Sequence, residues 1–194
     1  MVEKHKEELA ILEALDNGKP KSHFELIDLP LSVDVLRYYA AWPDKIHGKT
    51  LPLDGPYEGF TRREPAGVAA LLTPWDLPFL TAVMKLAPAL ASGCTVVIKP
   101  SKSAPLSVLH LGQMVVEAGF PDGVLNIVPG PGPETGDALV KHPMVDTVAF
   151  SGSRKVGKHI RALCGERNLK RVALEMGGKC PLIIMKDTDI KEAI

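Results

Sequence analysis

The feature that most constrains the fold is a regular alternation of short apolar segments and helix-spaced segments over residues 67–175. One segment contains the run Val96-Val97-Ile98, which is typical of a strand buried on both faces of a parallel sheet. Alternating strands and helices of these lengths predict a parallel, doubly wound α/β sheet. The predicted strands are 67–72, 94–98, 124–128, 145–150, 171–175 and 182–185, and the predicted helices are 79–91, 106–118, 135–141 and one that starts after Ser153.

Two helices are predicted ahead of this alternation. The first covers residues 3–15, and Gly18 is expected to end it as a C-terminal cap. The second covers residues 33–42 and stops before Pro43. The side chains expected to face inward are Leu9, Ile11, Leu12 and Leu15 on the first helix, Leu36, Tyr39 and Ala40 on the second, and Leu109, Met114 and Val116 on helix 106–118.

An irregular connection and a short extended hairpin are predicted between the helices and the sheet. Residues 49–57 contain two prolines and a glycine and are expected to form a loop. Residues 58–72 suggest two extended segments that meet at Glu64-Pro65. The expected division is therefore an N-terminal helical segment and linker over 1–57 and a sheet domain over 58–194.

The turn after the strand 145–150 has the composition of a phosphate site. A strand, a turn through Gly152 and Ser153, and a helix start direct free backbone N–H groups and a helix dipole at an anion. Gly157 is expected to let the helix approach a neighbour closely. The spacing also comes near a P-loop, but His159 stands where that motif needs a Mg²⁺-binding Ser or Thr. An ordinary strand-to-helix turn is an equally good reading of these residues alone.

Composition excludes several classes of protein. Of the 194 residues, 23 are Lys or Arg and 23 are Asp or Glu, so a net charge of zero gives no electrostatic case for binding nucleic acid or an anionic membrane. No apolar run approaches the roughly 20 residues of a membrane span. The three cysteines, Cys94, Cys164 and Cys180, form no C-x-x-C motif or disulfide framework. These features predict a soluble, intracellular globular protein.

Three further strand ends carry residues suited to chemistry. Residues 73–78 place an indole and a carboxylate between two prolines, residues 99–102 contain two lysines, and residues 175–179 join an acid to a glycine pair. Each has a plain reading, as a packed tryptophan, solvated lysines or a surface turn. Because the carboxyl ends of parallel strands meet at one edge of a sheet, their convergence favours a nucleotide-dependent active site there.

Several longer stretches resemble one family. They are Leu15-Asp16-Asn17-Gly18-Lys19-Pro20, Arg62-Arg63-Glu64-Pro65, Lys85-Leu86-Ala87-Pro88-Ala89-Leu90, Glu117-Ala118-Gly119-Phe120-Pro121, 124–130, 150–157 and Leu174-Glu175-Met176-Gly177-Gly178-Lys179. Together they resemble, colinearly and over essentially the whole chain, an NAD(P)-dependent aldehyde dehydrogenase of the class 1 and 2 type. The resemblance implies a Rossmann-like cofactor domain, here as an internal fragment that stops before the nucleophilic cysteine and is inactive alone.

The resemblance also implies roles for particular residues. Glu175 would be the general base that activates water, and the turn from Gly152 to Gly157, with Ser153, would contact the pyrophosphate of NAD or NADP. Lys99 would contact the adenosine ribose. The residues expected to line the cofactor cleft are Thr73, Trp75 and Gly130. No metal is expected in this site. The family also implies an aldehyde substrate, a homo-oligomer when complete, and a cytoplasmic location, or a mitochondrial one if an N-terminal segment is missing.

Two positions depart from the family pattern. Asp76 replaces the asparagine whose amide donates to the oxyanion, and an ionised aspartate has no donor to offer. Lys102 replaces a glutamate that reaches the ribose hydroxyls, which tilts the expected cofactor towards NADP or towards weaker binding of NAD. Three hypotheses therefore stand. They are the cofactor domain of an aldehyde dehydrogenase, a catalytically retired relative with a crystallin-like structural or binding role, and a P-loop hydrolase, which His159 disfavours.

Overall fold

The computed structural model describes residues 1–166, 169–178, 181–189 and 191. Its strands are β1 (Thr50–Leu51), β2 (Gly59–Phe60), β3 (Val68–Leu72), β4 (Thr95–Lys99), β5 (Leu125–Ile127), β6 (Thr147–Gly152) and β7 (Arg171–Met176). Five of them form a parallel sheet in the order β5-β4-β3-β6-β7. The chain moves outward from β3 to β5 and then returns to the other side of β3. The predicted parallel α/β sheet is confirmed, and its topological switch point lies between β3 and β6.

Helices cover both faces of this sheet. They are α1 (Lys6–Asn17), α2 (Lys21–His23), α3 (Leu29–Ala40), α4 (Pro78–Ala91), α5 (Leu106–Glu117), α6 (Asp137–Lys141) and α7 (Arg154–Gly165). Helix α1 ends as predicted, because Gly18 adopts a left-handed φ of 83° and its N–H bonds to the carbonyl of Ala14. No helix among the described residues is long and apolar enough to cross a bilayer.

Alternation along β3 divides the core into two layers. Ala69 and Leu71 face a cluster that includes side chains of α1, α3, α4 and α5. Ala70 and Leu72 face the opposite cluster, which is built with α6 and α7. This period of two is what a strand buried on both faces requires. Because the N-terminal helices belong to the first layer, they lie against the sheet helices; the division at residue 57 stays a prediction.

The predicted buried face of α1 is partly wrong, since Leu9 is buried as expected but Ile11 and Leu15 are not. Ile11 is 44% exposed and Leu15 is 76% exposed, whereas Glu13 is fully buried beside Leu9 and Ala10. The cause is polar, since Glu13 Oε1 accepts from the backbone N–H of Phe79 at 3.0 Å and Glu13 Oε2 lies 2.9 Å from Lys19 Nζ. Because its carboxylate has these partners, Glu13 occupies the inward face of α1, which the apolar pattern had assigned to side chains such as Ile11 and Leu15.

The predicted face of α5 is also partly wrong. Val116 is 72% exposed and Leu109 is 37% exposed, while Met114 is buried as expected. The true inward stripe runs through Val108, Leu111 and Met114. This helix is apolar nearly all round, so periodicity alone does not fix its rotational phase.

Two extended segments differ from the prediction. The hairpin exists, but β2 pairs with β1, in the stretch 49–57 predicted as a loop, rather than with a segment beyond Glu64-Pro65. The predicted strand 182–185 is wrong, because those described residues are in coil and Leu182 is 81% exposed. An apolar run becomes a strand only where a neighbour offers a ladder of hydrogen bonds, and among the described residues β7 is the edge of the sheet.

Candidate functional site

A cleft of about 430 Å³ opens at the carboxyl ends of β3, β4 and β6. The parallel register aligns Leu72 with both Lys99 and Phe150, so the residues that follow these strands emerge side by side. The predicted positions that line this cleft are Thr73, Trp75, Lys99, Lys102, Gly152 and Ser153. The structure therefore brings most of the sequence-predicted cofactor residues together at the switch point of the sheet.

The turn from β6 into α7 presents the start of a twelve-residue helix to this cleft. Ser153 is the N-cap, in extended conformation, and its Oγ accepts from the backbone N–H of Val156 at 3.4 Å. Gly152 has a φ of +155°, and a Cβ there would lie 2.6 Å from Cζ of Phe150. Glycine is favoured at this turn, which places the start of α7, with its free N–H groups, at the cleft.

Gly157 allows α7 to pack closely against β7. A Cβ at this buried position would lie 2.5 Å from the Sδ atom of Met176 on β7. The predicted close approach of α7 to a neighbouring element is therefore confirmed. The residue supports the site through the seating of the helix, and it is not among the described residues that line the cleft.

Thr73, which lines the cleft, carries a buried hydroxyl without a partner among the described residues. The residue is 6% exposed, and its Oγ1 has no hydrogen-bond partner among the described residues. Its backbone N–H donates to the carbonyl of Lys99 at 3.1 Å, which ties β3 to β4 at this edge. A buried hydroxyl without a partner is costly, so a ligand that hydrogen-bonds to it removes that cost.

The two lysines of this edge have different environments. Lys99 is 6% exposed, and its Nζ donates to the carbonyl of Pro100 at 2.9 Å. Burial lowers the pKa of Lys99. Lys102 lies three residues further on, is exposed, and also lines the cleft. One cation is therefore fixed and partly desolvated, and the other is free to meet a ligand from the solvent side.

The loop that carries Trp75 is held by α1. Trp75 is 61% exposed, and its backbone carbonyl accepts a short hydrogen bond from the side chain of Asn17, the last residue of α1. Sequence reasoning missed this role of Asn17, because its composition signalled only the end of a helix. Gly130 lies outside the described lining of the cleft; a Cβ there would lie 2.0 Å from Oγ1 of Thr135, so its glycine is explained by the adjoining loop.

A second cavity of about 460 Å³ lies beside the first and contains both predicted catalytic positions, Asp76 and Glu175. The two cavities share the residues Pro74, Trp75, Ser151, Gly152 and Ser153. Asp76 is exposed to solvent. A ligand that extends from the first cavity past Trp75 would therefore reach two carboxylates.

Glu175 is held in place by two donors. Its Oε2 accepts from Ser151 Oγ at 2.6 Å and from Lys85 Nζ at 2.9 Å. These hydrogen bonds, that of Ser151 first, lower the pKa of Glu175 below its ordinary value, so the acid is ionised at neutral pH. Its side chain is nonetheless 67% exposed and accessible to water or substrate.

Sequence reasoning missed Lys85 and Ser151. Lys85 is 7% exposed within the apolar face of α4, between Val83 and Leu86. A lysine at a core position of a helix is rarely buried without a partner, and that was the available signal. Its partner lies 90 residues away in the sequence, so no local pattern could identify it.

The site combines the N-terminus of a helix, a buried hydroxyl without a partner among the described residues, a buried cation and an ionised acid. These features suit a dinucleotide across the switch point and proton transfer beside it. Among the described residues, no group of three metal-ligating side chains lies in either cavity.

The whole chain, residues 1–194, matches the model of the aldehyde dehydrogenase family. It is 52% identical to the mitochondrial aldehyde dehydrogenase of Sus scrofa and 50% identical to retinal dehydrogenase 2 of Mus musculus, in each case over 100% of its length. These matches cover 37% and 38% of the relatives, so the chain spans less than two fifths of their length.

Solved structures show the same fold. An aldehyde dehydrogenase from Bacillus cereus, described as an NAD⁺ complex, superposes with a TM-score of 0.91 at 48% identity, over 99% of this chain and 39% of that one. A structure of PnpE in complex with nicotinamide adenine dinucleotide gives a TM-score of 0.92 at 41% identity, over 99% of this chain and 39% of that one; PnpE is from Pseudomonas sp. WBC-3.

Proposed function

Because the chain belongs to the aldehyde dehydrogenase family, we propose that it binds the cofactor for an enzyme that oxidises an aldehyde to a carboxylate with NAD(P)⁺. The observation that carries the proposal is the cleft at the switch point. There Thr73, whose buried hydroxyl has no partner among the described residues, and the Ser153-capped start of α7 line one cavity. A dinucleotide supplies both a polar group for the hydroxyl and an anion for the helix start.

The residues of the first cavity fit the cofactor in this proposal. The start of α7 would hold the pyrophosphate, and Lys99 would meet the adenosine ribose. Thr73 lines the first cavity, and Trp75 lines both. When bound in this cavity, the cofactor would supply the hydride acceptor for the oxidation. Two of the solved relatives are described as NAD complexes, and Lys102 favours NADP as an alternative because it brings a cation to the 2′ position.

Glu175 is the general base of this proposal. Lys85 and Ser151 orient its carboxylate, and its exposed side chain accepts a proton from the water that releases the product acid. The nucleophile is a thiolate that this set of residues does not supply. Cys94 and Cys164 are 6% and 2% exposed, and burial raises the pKa of Cys164. Cys180 lies outside the described residues. We assign the nucleophile to the part of the relatives' length that these 194 residues do not cover.

Asp76 favours a second candidate, a relative that binds the cofactor but has lost turnover. An ionised carboxylate cannot donate to an oxyanion, and losing one such donor costs a factor of about 10²–10³ in rate. In this reading the cleft persists for a binding or structural role. Turnover after restoration of the donor distinguishes the two candidates.

A hybrid enzyme tests the proposal. Residues 1–194 replace the matching segment of the Sus scrofa relative, and NAD(P)H formation is followed with a short aliphatic aldehyde. We expect slow turnover that Asp76→Asn raises by about 10²–10³ and that Glu175→Gln abolishes. A folded hybrid that binds cofactor but stays inactive with Asp76→Asn supports the retired relative. A folded hybrid that binds no cofactor contradicts both candidates.

We also propose that the complete protein is a homo-oligomer in the cytoplasm or, as its mitochondrial relatives suggest, in the mitochondrion. The hairpin leaves Tyr57 71% exposed and Phe60 78% exposed, and large exposed aromatic side chains on one segment suit an interface between subunits. Light scattering of the hybrid enzyme tests this assembly; a monomer at all concentrations contradicts it.

A further inference from the structure

Two histidines and a glutamate meet where α1 lies against α5. His5 is the residue before α1, Glu8 is in its first turn, and His110 is in α5. The two imidazole rings are edge to face, with centroids 5.3 Å apart. Among the described residues, the cluster has no member in either cavity of the candidate site. It is therefore a separate group, and the chemistry proposed above does not use it.

The ligand atoms of this cluster have the spacing of a coordination polyhedron. Glu8 Oε2 lies 3.5 Å from His5 Nδ1 and 3.3 Å from His110 Nε2. One ligand atom from each of the three residues lies within 4.8 Å of the other two. Zinc binds imidazole nitrogen and carboxylate oxygen at about 2.0–2.2 Å in a tetrahedron, whose edges are then about 3.3–3.6 Å. Both measured distances agree with such an edge.

His110 provides an independent indication of a ligand. Its side chain is 7% exposed, and its Nε2 is buried without a hydrogen bond to any described residue, although Glu8 lies 3.3 Å away. A neutral imidazole has one donor and one acceptor nitrogen, and a buried nitrogen without a partner is costly. A cation between Nε2 and the carboxylate would satisfy both groups.

The second nitrogen of His5 is held by another carboxylate. His5 Nε2 lies 3.0 Å from Glu117 Oε2, which also accepts from Lys4 Nζ at 3.1 Å. If Nε2–H donates to Glu117, the lone pair of Nδ1 points towards Glu8. A lone pair and a carboxylate repel unless a proton or a cation lies between them. Metal-ligating histidines commonly donate their other N–H to a carboxylate in this way, which fixes the tautomer.

We propose that His5, Glu8 and His110 bind one Zn²⁺ ion that joins α1 to α5, with Glu117 as a positioning residue. Two imidazoles and a carboxylate suit zinc, and a fourth position stays open to water. No metal was predicted from the sequence. His110 lies far along the chain from His5 and Glu8, so no ligand-spacing motif marks this cluster. The site adds a clamp between the N-terminal helix and a helix of the sheet.

Calorimetric titration of the 194-residue protein with ZnCl₂ tests the proposal. We expect one strong site per chain and a rise in unfolding temperature on zinc addition. His5→Gln and Glu8→Gln should each weaken binding at least tenfold, and Glu117→Gln by about 10–100-fold. The matched control is Glu7→Gln, which makes the same change of charge on the adjacent residue of α1 and should leave the affinity unchanged. Glu8 has a 57% exposed side chain, so its substitution leaves the fold intact, as circular dichroism will verify.

Cobalt provides a second readout. Co²⁺ bound in a tetrahedral nitrogen and oxygen environment should give a visible absorption band that Glu8→Gln removes and excess Zn²⁺ displaces. The proposal is overturned if wild type binds no zinc. It is also overturned if His5→Gln and Glu8→Gln bind zinc as tightly as wild type does, because the metal then resides on cysteines or on other histidines. If Glu7→Gln weakens zinc binding as much as Glu8→Gln does, the loss of affinity reflects surface charge alone, and the proposal is also overturned.

Discussion

Removal of the Thr73 hydroxyl, which has no partner among the described residues, is predicted to stabilise the protein and to weaken cofactor binding. Thr73→Val replaces the buried Oγ1, which has no partner among the described residues, with a methyl group of similar size. Leaving a buried polar group unsatisfied costs about 1–3 kcal/mol, so the substitution should raise the free energy of unfolding by about 1 kcal/mol or more. The variant should therefore be more stable than wild type in the absence of ligand.

The same substitution should weaken cofactor binding. A hydrogen bond to a ligand contributes about 0.5–1.5 kcal/mol net, which corresponds to a roughly 2- to 12-fold loss of affinity. Stability is measured by urea unfolding with linear extrapolation, and affinity by quenching of protein fluorescence on titration with NADH. A structural role for Thr73 alone would move stability and leave affinity unchanged.

Thr147→Val is the matched control. The hydroxyl of Thr147 donates to the carbonyl of Arg171 at 3.3 Å, and the residue is not among those that line the cleft. Its loss should not stabilise the protein, and cofactor affinity should stay at the wild-type value. The reasoning is refuted if Thr73→Val lowers the free energy of unfolding, or if it leaves the affinity for NADH unchanged.

Three further predictions follow from the same contacts. Lys85→Met removes a donor to Glu175, whose pKa in the folded protein lies below its ordinary value of 4.5. The stabilisation that the contacts of Glu175 provide is present above pH 4.5 and is lost as the pH falls through the folded pKa. The variant should raise the pKa of Glu175 and shift this loss to higher pH, which carboxyl-region NMR and acid unfolding will measure. Gly165→Ala, with nothing within 4 Å, should stabilise α7 by roughly 0.5–1 kcal/mol. Gly157→Ala should be less stable than Gly165→Ala by about 1–3 kcal/mol, because the added Cβ meets the Met176 side chain of β7 and forces it to move; denaturant titration compares the two variants. An exposed ion pair between Lys102 and a 2′-phosphate contributes about 0.2–1 kcal/mol, so the expected preference for NADP over NAD is only a few-fold. Lys102→Glu should reverse this preference, which calorimetric titration with both nucleotides measures. Unchanged affinities would show that Lys102 is only a surface charge.

The sheet was predictable because strands buried on both faces have a strong local signature. The run Val96-Val97-Ile98 lies in β4 as expected, with the helices α4 and α5 on either side in the chain. Rotational phase was less predictable. Helix α5 is apolar nearly all round, so choosing between Val116 and Leu111 as an inward side chain required knowledge of the packed neighbour.

Polar contacts over long sequence separations were outside the reach of sequence reasoning. Glu13 is buried because Phe79 and Lys19 supply its partners, and Glu175 is oriented by Lys85 from another element. Such pairs depend on the tertiary fold and leave no periodic trace in the chain. By contrast, the turn at Gly152 was predictable, since its glycine and N-cap serine are local requirements of a strand-to-helix turn.

The central claim is that the edge of the sheet between β3, β4 and β6 is a dinucleotide site. Hydrogen–deuterium exchange of the 194-residue protein, with and without saturating NAD⁺, tests it most directly. We expect slower exchange in peptides that cover 71–76, 99–103 and 150–160, with little change in α1 and in the β1–β2 hairpin. Saturating NAD⁺ that leaves these three segments unprotected, or that protects only segments elsewhere, would contradict it.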